Sequence, residues 1–119
     1  MLRRRHKYNA VRTIVDGKAF PSRAEAGHFG ELKLRERAGE IRNLKLQPSF
    51  SIDIAGHHIC RYRADFAYEE LSKVRLGDGT TKIWRPVVVD VKGIVTDVYR
   101  IKARLMLAVL GIEVREVRR

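Results

Sequence analysis

The pattern of apolar and polar positions over the first forty residues predicts a hairpin followed by a helix. Short apolar stretches flank Asp16-Gly17, a dipeptide that favours the positive φ angles of a tight turn, and they predict a small N-terminal hairpin. The next stretch has Ser22 as an N-cap, Glu25 three residues later and Gly39 where a C-terminal glycine belongs. This pattern predicts a helix over about residues 23–38.

The pattern then becomes that of strands. The segment IRNLKLQPSFSI alternates, is interrupted by Pro48 and resumes, with apolar positions at Ile41, Leu44, Leu46, Phe50 and Ile52. After the turn at Ala55-Gly56, HHICRYRADFAYEE alternates in one run; one face carries Ile59, Arg61, Arg63 and Asp65, and the other carries Cys60, Tyr62, Ala64 and Phe66. We expect these two segments to pair as antiparallel neighbours.

The last third of the chain predicts a strand, a helix and a strand. The turn LGDGTT leads into KIWRPVVVDVKG, a strand with its core at Val87–Val91 and with Pro86 at its start or at an edge. The stretch TDVYRIKARLMLAVLG predicts a helix that ends at Gly111, with an apolar stripe of the kind that packs on a core at Val98, Ile101, Leu105 and Ala108. A final strand follows in IEVREV. The order predicts an α/β fold, a mixed β-sheet flanked by helices, in one domain over residues 13–119.

Charge narrows the class of partner. The 119 residues suit one domain, and 25 Lys and Arg against 14 Asp and Glu give a net charge of +11, which favours nucleic acid. No segment has the amphipathic basic pattern of a membrane-surface helix, and no apolar run approaches the length of a membrane span. Cys60 is the only cysteine, so an intrachain disulfide is excluded. We therefore expect a soluble, cytoplasmic protein.

Asp90 and Lys92 interrupt the apolar run VVVDVKG. Residues two apart on a strand share a face, so these two charges point one way while Val89 and Val91 face the opposite layer. The simplest interpretation is a solvated strand end with a local ion pair, which contributes at most about 1 kcal/mol. Considered alone, this Asp-x-Lys is a weak indication of a site.

Asp65 strengthens that indication. It ends RYRADF on a neighbouring predicted strand, and two carboxylates that converge from adjacent strands suit a hard divalent cation such as Mg²⁺. Alternatively, Asp65 only ends its strand or pairs with Arg63.

Glu25 is the third candidate acid. Helical geometry puts it in line with Phe29 and Leu32, on the side expected to pack on the sheet, so its carboxylate could point inward. The spacing from Ser22 to Glu25 equally suits a capping box, and spacing alone leaves both roles open.

The order of these residues resembles the core of the PD-(D/E)xK nuclease superfamily: an acid on the first helix, an Asp that ends a strand, and an Asp-x-Lys on the next strand. More narrowly, the chain resembles a family of small bacteriophage and prophage proteins in that superfamily, which is regarded as similar to Holliday-junction resolvases and transposon end-cutting nucleases. The resemblance covers nearly the whole chain, through KYNAVRTIVDGKAFPSRAEA, GEIRNLKLQPSF, YRADFAYEE and VVVDVKGIVTDVYRIKARL. One departure is Ala64, which stands where the superfamily has a proline before the first Asp.

The resemblance implies a restriction-endonuclease-like fold and a Mg²⁺-dependent endodeoxyribonuclease, with Mn²⁺ able to substitute. Asp65 and Asp90 would be the metal-binding acids, with the backbone carbonyl of Val91 as a further ligand. Glu25 would complete the acidic cluster, directly or through a water, and Lys92 would orient or deprotonate the attacking water. Two further residues that match the family's pattern would line the site, Gln47 and Tyr99.

The implied substrate is branched DNA, cut in phage recombination, replication or packaging inside a bacterial host. Expected DNA contacts are the basic arm over residues 1–12, through Arg3, Arg4, Arg5 and Lys7, together with Arg61, Arg63 and Lys102. Each has a plainer alternative: the arm can be solubilising, the two strand arginines can neutralise the acidic cluster, and Lys102 can be solvated. Symmetric cleavage of a four-way junction would require a homodimer.

Two other functions compete. One is a non-catalytic DNA-binding module on a nuclease-like scaffold, in which the acids are only structural. The other is a basic RNA- or ribosome-associated protein, which charge alone supports.

Overall fold

The computed structural model describes residues 13–15 and 17–118. The predicted basic arm, with Arg3, Arg4, Arg5 and Lys7, lies outside the described residues. The elements follow in the order β1 Thr13–Val15, β2 Lys18–Phe20, α1 Arg23–Arg37, β3 Ile41–Leu46, β4 Ser49–Ile54, β5 His57–Arg63, β6 Phe66–Leu76, β7 Gly79–Lys92, α2 Asp97–Leu110 and β8 Val114–Arg118.

The first elements confirm the predicted hairpin and helix. β1 and β2 pair antiparallel with Val15 opposite Lys18, which leaves two residues for the turn. Ser22 caps α1, because its side chain accepts a hydrogen bond from the backbone N–H of Glu25. Gly39 follows the helix with φ of +76°, a conformation that glycine adopts without strain.

The main sheet has four strands in the order β3-β6-β7-β8. β6 pairs antiparallel with β3 and with β7, whereas β8 runs parallel to β7. β4 and β5 form a separate antiparallel pair, as predicted for these neighbours. The fold is therefore mixed α/β, which confirms the predicted class at this level.

The alternating segment over residues 57–70 forms two strands, because the chain changes partners at Ala64 and Asp65, and Asp65 follows the end of β5 as predicted. The Ala64 N–H donates to the carbonyl of Pro48 at 3.0 Å, and the Asp65 N–H donates to the carbonyl of Val89 at 3.1 Å. β5 therefore pairs with β4, while β6 joins the main sheet. The preceding segment divides at Gln47 in the same way, with φ of +52°.

Pro86 lies inside β7, opposite Glu69, so the prediction that it starts the strand was wrong. The alternative, an edge position, holds locally, because β8 pairs with β7 only from Val88 onward. A proline lacks the N–H of a ladder bond, and it is tolerated where no third strand needs that donor.

The core lies in two clusters on the two faces of β7. Val87 and Val89 pack with residues of α1 and its neighbouring strands, chiefly Phe20, Phe29, Leu32, Ile41 and Phe66. Val88 packs on the opposite face with Ile52, Tyr62, Ala64, Tyr99 and Met106. The strand alternation predicted for VVVDVKG is thus confirmed, since successive valines face opposite layers.

The buried face of α2 includes only Leu105 of the predicted stripe, which packs partly buried against the second cluster. Tyr99 and Met106 are buried, whereas Val98 is 63% exposed and Ile101 is 59% exposed. Apolar residues occur on nearly every side of this helix, so its periodicity did not identify the face that packs. Neither helix of the described chain is both long and apolar enough to cross a membrane.

Candidate active site

Asp90 and Lys92 lie at the end of β7, on the face opposite Val89 and Val91. Asp90 is 3% exposed, and its Oδ1 atom lies 3.1 Å from Nζ of Lys92. The same Nζ atom lies 4.0 Å from the ring centre of Tyr99 on α2. The ammonium is therefore fixed between a carboxylate and an aromatic face, both of which favour a cation.

Asp65 lies level with Asp90, because the adjoining residues Phe66 and Val89 are directly paired. One oxygen of Asp65 accepts a hydrogen bond of 2.7 Å from the backbone N–H of Val91. The two carboxylates are close enough to share a hydrogen bond when one is protonated. The change of strand partner at Asp65 is what brings this side chain to the end of β7.

Glu25 reaches the same place from the first turn of α1. Its side chain is buried, with 6% of the residue exposed, and it lies within hydrogen-bonding range of Asp65. Its Oε2 atom has no hydrogen-bond partner among the described residues. The reciprocal bond of a capping box, from the Ser22 N–H to the Glu25 carboxylate, is absent from that part of the chain, so the Glu25 side chain faces the acidic cluster instead of the helix end.

Burial and mutual repulsion make this cluster costly to ionise. Burial and then the neighbouring Glu25 raise the pKa of Asp65, the Val91 N–H opposes the rise, and the resulting pKa is about 6. Burial likewise raises the pKa of Asp90, the Tyr62 hydrogen bond lowers it and the charge of Asp65 raises it, and the resulting pKa is about 6. Perturbed carboxylates of this kind are concentrated at functional sites.

Tyr62 is a site residue that the sequence analysis missed. Its hydroxyl donates a short hydrogen bond to Oδ2 of Asp90, and its ring packs near Tyr99. Burial raises the pKa of the Tyr62 hydroxyl, and the bond to Asp90 adds to the rise, so this group stays a donor. A tyrosine on the inward face of an alternating strand needs a partner for its hydroxyl, and this was the signal available in the sequence.

The two predicted lining residues lie beside the cluster in different ways. Tyr99 is buried under Lys92, and its hydroxyl donates to Glu116 at 3.0 Å. Gln47 contacts the backbone of Asp65 through a 2.8 Å bond from its N–H to the Asp65 carbonyl.

The predicted DNA contacts are not brought into the acidic cluster. Arg61 and Arg63 are exposed on β5 and donate to the side chains of Ser49 and Gln47 respectively. Neither arginine forms an ion pair with an acid in the described part of the chain, so they do not neutralise the cluster. Lys102 donates to the backbone carbonyl of Arg61 at 2.9 Å, so its ammonium lies against the backbone of β5.

Comparison with known families gives one match, which covers residues 5–117 and is described as a protein of unknown function, DUF1064. The chain belongs to the DUF1064 family. The match spans the whole candidate site of this DUF1064 chain, from Glu25 to Lys92. No curated protein and no solved structure matches it.

The donor set of the DUF1064 site is that of a hard divalent cation. Its carboxylates supply only oxygen, and the buried Oε2 atom of Glu25 lacks any partner within the described residues, which a bound cation would provide. Both oxygens of Asp90 are engaged by Tyr62 and Lys92, and one oxygen of Asp65 is engaged by Val91. Within the described residues, no group of three or more histidine, cysteine, aspartate or glutamate side chains has the arrangement needed to hold a metal ion.

A large recess lies elsewhere among the described residues. It has a volume of about 1230 Å³ and is lined by residues of β3, β4 and the main sheet, including Pro48, Phe50, Ala67, Pro86 and Val88. None of the four catalytic candidates lines it. The carboxylates lie instead around the end of β7, where Glu25 and Asp90 are buried.

Proposed function

We propose that this DUF1064 chain is a metal-dependent endodeoxyribonuclease of the PD-(D/E)xK type, with a restriction-endonuclease-like fold. The observation that carries the proposal is the meeting of Glu25, Asp65 and Asp90 at the end of β7, with Lys92 3.1 Å from Asp90. Glu25 and Asp90 are buried, and burial raises the pKa values of Asp65 and Asp90, so bringing these acids together is costly. A structural role alone does not require them to meet.

The cofactor proposed is Mg²⁺, with Mn²⁺ able to substitute. Asp65, Asp90 and Glu25 would hold it, together with the backbone carbonyl of Val91. When bound, such a cation activates a water and stabilises charge on a phosphate. The orphaned oxygen of Glu25 supports direct ligation by that residue over a role in helix capping.

Lys92 would act on the attacking water and on the phosphate. Its ammonium is held in one place by Asp90 and by the Tyr99 ring. The Lys92 side chain therefore loses little conformational freedom when substrate binds. A fixed positive charge at this point orients the water by hydrogen bonding and offsets the negative charge that develops at phosphorus. Tyr62 is a positioning residue in this account, because it holds Asp90 and does not reach the water.

DNA is the proposed substrate because the protein carries a net charge of +11. Arg61 and Arg63 are exposed on β5, and Lys102 contacts the β5 backbone at Arg61, so these three residues could hold the strand that is cut or its complement. The basic arm would add contacts. Branched DNA, cut in phage recombination, replication or packaging inside a bacterial cell, is the substrate that the family resemblance favours.

Paired cleavage of a junction requires two active sites, and α2 offers a surface for a second copy. Val98 and Ile101 are 63% and 59% exposed and, three residues apart, share one side of the helix. The opposite side of α2 carries Tyr99, which contacts Lys92. If two copies packed through α2 about a two-fold axis, the candidate site of each copy would therefore lie beside the shared pair of helices.

A non-catalytic DNA-binding scaffold is the second candidate. One observation favours it: both oxygens of Asp90 already have partners within the protein, Tyr62 and Lys92. In such a module the acids would be locked by these bonds and would not take up a cation.

The test is a cleavage panel of four-way junction, flap, linear duplex and single strand, each with Mg²⁺ or Mn²⁺. The wild type is expected to nick at least the branched substrates, and Asp90→Ala is expected to bind them without nicking. If every substrate stays intact while binding is retained, the scaffold is correct and the nuclease is not.

A further inference from the structure

β6 and β7 continue well beyond the main sheet as a two-stranded ribbon, formed by residues 71–76 and 79–84. The pairing of β3 with β6 stops at Glu70, and the pairing of β8 with β7 starts at Val88. The ribbon runs without a bulge from the pair Leu71–Trp84 to the tight turn between Leu76 and Gly79. In the described part of the chain, no third strand covers either edge of this ribbon.

One face of the ribbon is basic. Strand alternation and the register place Lys73, Arg75 and Lys82 on the same face, next to Trp84. None of the three basic side chains forms an ion pair with an acid of the described residues, and Asp78, in the turn, is the only acid in residues 71–84. By contrast, Arg42 at the base is held by the Trp84 ring at 4.2 Å and by Glu69 at 3.2 Å.

Two of the three cations on this face lie directly opposite each other on the two strands. Lys73 pairs with Lys82 across the two strands, and like charges at such positions destabilise a sheet. A two-stranded ribbon without a third strand is only marginally stable, so its own packing does little to compensate for this repulsion. A polyanion along this face would remove the repulsion.

The basic face continues the face of β7 that carries the candidate site. Lys82, Trp84, Val88 and Asp90 are all even-numbered positions of one strand, so they alternate to the same side. Eight residues of strand separate Lys82 from Asp90, which corresponds to about 26 Å at about 3.3 Å per residue. That span is shorter than one turn of B-form DNA, roughly 34 Å, so one duplex could contact both.

We propose that the face of the ribbon formed by Lys73, Arg75 and Lys82 binds in the major groove of B-form duplex DNA. The major groove admits a two-stranded ribbon, and the three cations would contact the phosphates that border it. The deep, narrow major groove of an A-form RNA duplex does not admit such an element. The inference deepens the proposed function and rests on it only for DNA as the partner, because it concerns binding and not cleavage.

The experiment measures binding of the full-length protein to linear duplex DNA in EDTA, by fluorescence anisotropy over a series of salt concentrations. The ribbon variant is Lys73→Gln/Lys82→Gln. The control Lys18→Gln/Arg37→Gln removes the same charge from two exposed positions outside the ribbon. Circular dichroism and thermal melting check that all three proteins fold alike.

The ribbon variant is expected to bind about tenfold more weakly at 0.1 M salt, with the slope of log K against log salt reduced by about 2. The control should lose markedly less affinity. Equal loss in the two variants, or a greater loss for an RNA duplex than for DNA, would overturn the proposal. Aggregation of the ribbon variant with unchanged DNA binding would also overturn it, because the lysines would then only protect the exposed strands.

These outcomes are separable from those of the nuclease test. A protein that binds DNA through the ribbon and cuts nothing keeps this inference and loses the proposed function. If the protein cuts DNA and the ribbon variant cuts and binds it equally well, the proposed function is kept and the ribbon inference is lost.

Discussion

Lys92 is held against Asp90 at 3.1 Å, and both side chains leave β7 on the face opposite the core valines Val87 and Val89. The pair is largely buried: the Lys92 side chain is 22% exposed and the Asp90 side chain is 4% exposed. A surface ion pair of this kind would contribute little, whereas a buried one costs desolvation that only good geometry offsets. Its position beside Asp65 and Glu25 makes it the centre of the proposed site.

Substitution of Glu25 distinguishes a cation ligand from a helix cap. At a Mg²⁺ concentration about ten times Kd, binding stabilises the folded state by about 1.4 kcal/mol, which raises the Tm of a domain of this size by roughly 5 °C. Glu25→Gln is expected to lose most of this rise and to have a Tm without Mg²⁺ no lower than the wild type, since repulsion with Asp65 is relieved. Differential scanning fluorimetry measures both quantities.

Ser22→Ala is the matched control for Glu25→Gln. Loss of the cap hydroxyl is expected to destabilise the protein by about 1 kcal/mol while the rise with Mg²⁺ stays at the wild-type value. If Glu25→Gln retains the full response to Mg²⁺, Glu25 is not a cation ligand. The response to Mg²⁺ decides between the two roles, because a glutamine at this position can still close a capping box.

Tyr62→Phe keeps the ring packing and removes only the donor to Asp90. Hydrogen bonds to charged groups contribute about 1.5–3 kcal/mol, so we expect a loss of free energy of unfolding in this range at pH 7.5. Urea denaturation measures it. A change below about 0.5 kcal/mol, the usual scatter for surface positions, would show that Tyr62 does not hold Asp90.

Glu70 provides a pH-dependent link between three elements. It lies 2.8 Å from Arg35 on α1 and 3.1 Å from Arg115 on β8, and hydrogen bonds from Arg115 and then Arg35 lower the pKa of Glu70 from 4.5 to about 2. Because the folded-state pKa lies below the unfolded one, the contribution is complete above pH 4.5 and is lost as the pH falls toward about 2.

Glu70→Gln should therefore lower the free energy of unfolding by about 1–3 kcal/mol at pH 7, with the difference from the wild type shrinking below pH 4.5. Chemical denaturation at several pH values between 7 and 3 tests this. Glu113→Gln, at an exposed position, is the control and should track the wild type throughout. A difference that is constant with pH would contradict the ionic origin.

Ile101→Asp tests the proposed contact between two copies through α2. Ile101 is 59% exposed in the single chain, so the substitution should change the stability of a monomer by no more than about 0.5 kcal/mol. Light scattering after size exclusion should show a wild-type dimer and a monomeric variant. A wild type that is monomeric at tens of micromolar would contradict the proposed dimer.

Much of the site could be predicted from the sequence because it depends on local geometry. Strand alternation alone placed Asp90 and Lys92 on one face, and the caps at Ser22 and Gly111 set the helix ends. These features depend on neighbours in the sequence, so they are visible in it.

Features that depend on distant partners could not be predicted in the same way. Alternation continues unbroken through Ala64 and Asp65, although the chain there leaves β4 and joins β7. The partner of the Tyr62 hydroxyl, and the apolar face of α2 that packs, depend on which strands lie opposite them. Both features are set by the tertiary arrangement, which the periodicity of the sequence does not reveal.

The most direct test of the account is nicking of a four-way junction in Mg²⁺ by the wild type and by Lys92→Ala, with junction affinity measured in parallel in EDTA. The account predicts wild-type nicking, a loss of at least about a hundredfold in rate for Lys92→Ala, and affinities within a few-fold of each other. A variant that nicks as fast as the wild type would contradict the account, as would a wild type that binds the junction and never cuts it.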